Sequence, residues 1–199
     1  IEMEKRLDAA RLELLKSQIN PHFLFNTLNM IACMAKLEEA DTTERMISSM
    51  SSLFRYNLKT SEQIVPLAQE LKVVEDYMYI QQMRFGSRIA YDCRLEVDEE
   101  ETIIPAFTLQ PIVENAIIHG LSKKEQGGKI LLKIWKEGNK VIISVADTGV
   151  GMSQESLLKL RGALKAGGTA RVGIGLGNIC RRIHAMYKNG DFRIYRSEE

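Results

Sequence analysis

Hydrophobic residues recur with different periods along this chain, and the changes of period divide it. From residue 1 to about 37 the spacing is heptad. One seam holds Leu7, Leu14, Pro21, Leu28 and Ala35, and its partner holds Met3, Ala10, Ser17, Leu24 and Ile31. This predicts one long helix whose seam packs against another helix. His22 falls one step off the seam, partly exposed beside it. Asp41 followed by Glu44 predicts a capping box and the start of a second helix. Met46, Ile47, Met50, Leu53, Phe54 and Leu58 give that helix an apolar stripe. A hairpin of two such helices has little core of its own, so a homodimer completing a four-helix bundle is expected.

Residues 61–66 read as a loop. Leu67 to about Met83 reads as a third helix, with Leu71, Val74, Met78 and Ile80 on one side. The period then drops to two. Ile89, Tyr91, Cys93, Leu95 and Val97 alternate with polar residues, which predicts a half-buried strand. Pro105 to Gly120 reads as a helix. Strands over 129–136 and 141–147 are joined through Glu137-Gly138-Asn139 as a hairpin. Ser153 can cap a short helix bearing Leu157, Leu158 and Leu160, and residues 162–175 read as a mobile, glycine-rich loop. A helix over 176–187 and a strand over 192–196 close the chain. The expected fold class is α plus α/β, with a helical hairpin over 1–63 and a helix-and-sheet domain over 64–199.

Composition narrows the function. The 199 residues are 45% hydrophobic and 27% charged, with a net charge of +1. That balance supports a buried core and gives no electrostatic case for nucleic acid or an acidic membrane. Cys33, Cys93 and Cys180 are too far apart for a metal site and read as reduced, mostly buried thiols. No apolar run is long enough to span a bilayer. The chain opens at Ile1, without an initiator methionine, within a helical pattern, so it reads as a fragment of a longer protein, and an upstream membrane segment stays open.

The chemistry lies in an ordered series. Asn20-Pro21-His22-Phe23-Leu24-Phe25-Asn26 comes first, then Glu114-Asn115 and His119-Gly120, then Asp147-Thr148-Gly149-Val150-Gly151, then Gly173-Ile174-Gly175-Leu176-Gly177. Magnesium prefers oxygen ligands and keeps phosphate oxygens among them, so an asparagine carbonyl such as that of Asn115 can serve it without adding charge. His119, one turn on, can reach phosphate or ribose. An ionised Asp147 accepts hydrogen bonds only, which suits the amine of adenine. Gly149 and Gly151 would let the backbone approach the ring. Gly173, Gly175 and Gly177 precede a helix, where backbone amides bind phosphate. Lys165 and Arg171 lie in the stretch before it, which could close as a lid.

In this order the motifs resemble the ATP-binding domain shared by gyrase, Hsp90, MutL and sensor histidine kinases (the Bergerat, or GHKL, fold). The match covers residues 67 to 196. The Asn20–Asn26 box, Gln110-Pro111-Ile112-Val113-Glu114-Asn115-Ala116 and the Tyr77 to Phe85 stretch are similar to the autolysis-sensor (LytS-like) type of two-component histidine kinase. The resemblance implies an α/β sandwich with helices on one face of a mixed sheet, and use of ATP with Mg2+. It also implies autophosphorylation of His22, transfer to an aspartate of a response-regulator receiver domain, and dephosphorylation of that regulator aided by Asn26. By the same resemblance the bulk of the protein is a bacterial plasma-membrane sensor, joined through upstream segments. The family usually ends with another strand after a Gly-Thr pair, and that strand is expected to be missing from this chain, which stops at Glu199.

This chain departs from the wider family in places. Phe23 stands where many relatives carry an acid, Pro111 replaces an acid four residues before Asn115, and Ile118 replaces a lysine. The general base is left unassigned, with Glu114 as one candidate participant, and the missing phosphate contact is either absent or supplied by Lys123 or Lys124. Pro21 has no amide hydrogen and clashes with the Ser17 carbonyl, so a kink is expected beside His22. His184 is assigned no role. Two rival functions remain open on sequence alone: a non-kinase ATPase of the same fold, or a degenerate kinase serving as a dimerisation and docking module.

Overall fold

A computed structural model describes residues 20–60, 63–165, 174–187 and 190–195. The chain divides into two compact units, Ile1–Ser61 and Glu62–Glu199. Helices come first and a mixed sheet with helices follows, as expected.

The first unit is an antiparallel hairpin of α1 (Pro21–Leu37) and α2 (Asp41–Lys59). The expected uninterrupted helix through Asn20 and Pro21 does not form. Asn20 is extended (φ −69°, ψ 101°), and its side-chain oxygen accepts from the Phe23 amide at 3.2 Å. Proline pushes the preceding residue out of the α region, and at the first helical position its missing N–H costs nothing. The result is a capped helix start beside His22, where a kink or weakening of the helix was expected. The heptad positions before residue 20 lie outside the described residues.

The second helix also starts differently from expectation. Its N-cap is Ala40, with no side-chain cap, and the Glu44 carboxylate accepts from the Ser48 hydroxyl at 2.9 Å. The capping box is therefore not made; Asp41 and Glu44 act only as negative charges in the first turn. Phe25, Leu28, Ala32 and Ala35 of α1 are buried, as are Ser49, Ser51 and Tyr56 of α2. Small residues on the buried faces let helices lie close. Met46 and Met50 of the expected stripe, with Met30, Met34 and Leu37, remain exposed.

The second unit opens with a strand where a loop was expected. β1 (Ile64–Pro66) pairs antiparallel with β3 (Ile103–Pro105), Val65 opposite Ile104. Between them lie α3 (Leu67–Phe85) and β2 (Ile89–Leu95). α4 (Leu109–Asn115) follows and continues into a π-helical segment, Ala116–Leu121. Then come β4 (Gly128–Glu137), β5 (Lys140–Asp147), α5 (Gln154–Lys165) and α6 (Ile174–Met186). β2 runs parallel to β4, and β4 antiparallel to β5, so the sheet is mixed.

Alternation along β4 explains the layering. Ile130, Leu132 and Ile134 are fully buried, and they meet Leu71, Val74 and Met78 of α3 and Leu109, Val113, Ile117 and Leu121 of the next helical stretch. Helices thus cover one face of the sheet.

Three further expectations change. The helix expected from Pro105 starts only at Leu109, because residues 103–105 pair as β3. Gly162 lies inside α5, which runs to Lys165, and 166–173 of the expected loop lie outside the described residues. Residues 192–195 form no strand. The Ile194 carbonyl accepts from the Arg161 guanidinium at 2.8 Å, and that guanidinium lies 5.5 Å from the Tyr195 ring centroid. Two cysteines are also not buried: Cys33 and Cys93 are exposed, and only Cys180 is enclosed.

Candidate functional site

The sequence motifs of the second unit converge at the end of α4. Asn115 is the last α-helical residue before the backbone widens into the π turn. There the Ser122 amide bonds the Ile117 carbonyl at 2.8 Å, a five-residue step. Single π turns of this kind are frequent at functional sites. Asn115 Nδ2 donates to its own helix, to the Pro111 carbonyl at 2.5 Å. Its Oδ1 is therefore the atom left to offer a ligand. His119 is exposed on the π segment.

Asp147 ends β5, and its turn is locked onto the π segment. Asp147 Oδ1 accepts from the Gly149 amide at 2.9 Å, and the Val150 amide donates to the Gly120 carbonyl at 3.2 Å. A Cβ on Gly120 would lie 2.5 Å from Asp147 Oδ1. A Cβ on Gly149 would collide with the Gly120 backbone. Gly149 is therefore needed for backbone contact with Gly120, a partner that sequence reasoning did not assign. Gly151 has φ +66° and open space around its Cα, so only its backbone conformation favours glycine.

The third motif reaches the same place. A Cβ on Gly175, at the start of α6, would lie 3.5 Å from Pro111 Cβ and 3.6 Å from Asn115 Nδ2. Gly177 is buried in α6, and Gly173 lies outside the described residues. The helix bearing Asn115 thus has Asp147 at its far end and Gly175 at its flank.

Lys124 is occupied elsewhere than expected. Its ammonium donates to the Thr148 carbonyl at 2.7 Å, which ties it to the Asp147 turn. Glu114, beside Asn115, faces Tyr77 of α3. Burial, then the Glu114 charge, pushes the Tyr77 phenol up to about 12, while Arg84 opposes the shift. No group of three or more His, Cys, Asp or Glu among the described residues could hold a metal.

Sequence reasoning missed the residue that starts this helix. Glu70 of α3 is fully buried, and its carboxylate accepts from three successive amides, Phe107 at 2.6 Å, Thr108 at 2.9 Å and Leu109 at 2.7 Å. A glutamate one turn into a helix reads as solvated, and nothing local marks it otherwise.

In the first unit His22 is exposed, two positions into α1. Asn26, one turn later, brings its Nδ2 within 3.3 Å of His22 Nδ1. His184 on α6 lies with its Nδ1 3.5 Å from Cys180 Sγ. No helix of the described residues is long and apolar enough to cross a membrane.

Comparison with known proteins places these features. Residues 10–89 match the histidine kinase family, and residues 105–199 match the histidine kinase-, DNA gyrase B- and HSP90-like ATPase family. The sensor histidine kinase YpdA of Escherichia coli (strain K12) is 37% identical over 95% of this chain and 33% of its own length. The sensor protein LytS of Oceanobacillus iheyensis is 37% identical over 92% of this chain and 32% of its own length. The sensor histidine kinase YesM of Bacillus subtilis (strain 168) is 33% identical over 94% and 31%. The chain therefore spans about a third of these relatives. A histidine-bearing hairpin followed by a helix-on-sheet unit, with these family matches and relatives along the chain, leads to one assignment: the chain belongs to the sensor histidine kinases of the LytS-like type.

Proposed function

We propose that this chain is the kinase part of a two-component sensor. In this reading residues 1–63 dimerise and carry the phosphoacceptor, and residues 64–199 bind ATP. The observation that carries it is the convergence of Asn115, Asp147 and Gly175 around one helix, in a chain that also carries an exposed His22.

The residues divide the nucleotide between them. Asp147 Oδ1 is engaged by Gly149, so Oδ2 is offered to the adenine amine. A carbonyl at that position, as in guanine, would face an acceptor and be disfavoured. The first turn of α6, which carries Gly175, offers backbone amides to the phosphates, and His119 adds a polar contact. Asn115 Oδ1 is a fitting oxygen ligand for Mg2+, which when bound neutralises charge on the phosphate oxygens.

The chemical step is in-line transfer. A neutral ring nitrogen of His22 attacks the γ-phosphorus as the bond to the ADP oxygen breaks. The other ring nitrogen then gives up its proton to a base, a role for which Glu114 is one candidate. Neutral imidazole is already a competent nucleophile, so positioning and charge neutralisation carry the rate. The phosphoryl group passes next to an aspartate of a response-regulator receiver domain. Asn26, within reach of His22, positions water for dephosphorylating that regulator.

A homodimer is supported by the apolar side chains the hairpin leaves uncovered. Met30 (59%), Met34 (53%), Leu37 (83%) and Met50 (42%) are exposed, more than a lone two-helix unit keeps in water. A net charge of +1 gives no electrostatic case for nucleic acid as a partner. The proposed setting is the cytoplasmic side of a bacterial membrane sensor. Mapping of phosphohistidine by mass spectrometry after incubation with Mg-ATP tests the assignment. The modification is expected on His22, and its appearance on His119 or His184 instead would contradict it.

A further inference from the structure

A buried carboxylate is costly unless every acceptor position is served. Glu70 is 0% exposed, and three consecutive amides entering α4 donate to its carboxylate. Helix α4 has no cap of its own there. The Thr108 hydroxyl, which stands at the N-cap, donates instead to the Pro105 carbonyl at 2.6 Å. The cap is therefore supplied by another helix, with a full negative charge at the positive end of α4.

The geometry is held against local preference. Phe107 adopts φ +59°, a conformation that non-glycine residues keep only where their surroundings enforce it. In exchange, its amide turns toward Glu70 alongside those of Thr108 and Leu109. The same turn receives a second charged group. Arg182 of α6 donates to the Ala106 carbonyl, and its guanidinium lies 5.8 Å from the Phe107 ring centroid.

Both routes lead to the nucleotide site. From Leu109, α4 runs directly to Asn115, about 9 Å along the axis at 1.5 Å per residue. From Arg182, α6 runs back to Gly175, which lies against Pro111 and Asn115. We propose that Glu70 and Arg182 are positioning residues. Together they clamp the 106–109 turn so that Asn115 and the Gly175 end of α6 share one fixed pose for the metal-bound phosphates. The proposal rests on the nucleotide-site reading above.

The test is titration with a fluorescent ATP analogue, with Mg2+ and with EDTA, beside thermal unfolding. Glu70→Gln keeps the volume but sets an amide NH2 against backbone N–H groups. It is expected to weaken Mg2+-supported binding about tenfold, the scale of other outer-shell changes, while the metal-free affinity changes by less than a third of that factor. Arg182→Gln should move affinity in the same direction. Ile134→Val, a core change in β4 outside this turn, should lower the unfolding midpoint and leave affinity unchanged. Wild-type binding by a folded Glu70→Gln protein would overturn the proposal. So would equal losses of affinity in Glu70→Gln and Ile134→Val, since the role would then be general packing. If Glu70→Gln does not fold, Arg182→Gln decides the question by the same criterion. Failure of the wild-type chain to bind the analogue at all would instead remove the nucleotide-site reading itself.

Discussion

Gly120 and Asp147 are in such close approach that a methyl group on the glycine would stand 2.5 Å from the aspartate Oδ1. The glycine belongs to the π turn after Asn115, and the aspartate to the end of β5. The contact links the two motifs assigned to phosphate and adenine. Gly120→Ala should displace the Asp147 carboxylate and raise the dissociation constant for ATP about tenfold, the equivalent of one lost hydrogen bond near 1.4 kcal/mol. Stability should fall by about 1–2 kcal/mol, as for a modest overpacking. Calorimetric titration and thermal melting separate the two effects. Unchanged affinity with lowered stability would mean that the contact serves folding only.

The start of α1 offers a second check. Asn20 caps the helix that presents His22, and its side chain takes up the Phe23 amide. Asn20→Ala should cost about 1 kcal/mol, and Asn20→Asp close to nothing. If the cap also fixes His22, the alanine variant should be labelled more slowly by ATP than the aspartate variant. Equal labelling rates would confine Asn20 to stability.

Asn26 gives a third. Its Nδ2 lies 3.3 Å from His22 Nδ1 and 3.4 Å from Nε2, beside the proposed acceptor ring. Asn26→Ala should keep autophosphorylation within about twofold, a modest effect for one exposed hydrogen bond. Dephosphorylation of the response regulator should fall sharply. Parallel assays of both reactions decide it, and an unchanged phosphatase rate rejects the assignment.

Alkaline pH should reveal the packing of α3. Burial and the Glu114 charge raise the Tyr77 phenol from 10.0 to about 12. The unfolded chain therefore releases this proton at lower pH than the folded one. The associated stability is complete below pH 10 and is lost as pH rises toward 12. Tyr91 is shifted further in the same direction, by burial first and then by Cys93. Melting curves across this range should fall less steeply in Tyr77→Phe, and less steeply still when Tyr91→Phe is added. Identical slopes in all three proteins would contradict the shift.

Sequence was most informative where a period is long or a motif is chemical. The alternation of Ile130, Leu132 and Ile134 sets the core face of β4, and the order of Asn115, Asp147 and Gly175 pointed to residues that lie around one helix. It was least informative where a tertiary partner decides. Residues 64–66 are too short to show alternation, and only pairing with 103–105 makes them a strand. Phe192 to Tyr195 do alternate, yet the Ile194 carbonyl bonds a guanidinium rather than a neighbouring strand. The π turn leaves no trace in apolar spacing. Glu70 looks like any surface glutamate until three amides from residues 37 to 39 positions away are seen to converge on it.

The most direct test of the kinase assignment is incubation with Mg-ATP labelled at the γ-phosphate, comparing the wild-type chain with His22→Gln. The account predicts label on the wild-type protein alone, lost in acid and retained in base, as expected for a phosphorylated imidazole. Equal labelling of the variant, or no label on a wild-type chain that binds ATP, would contradict it.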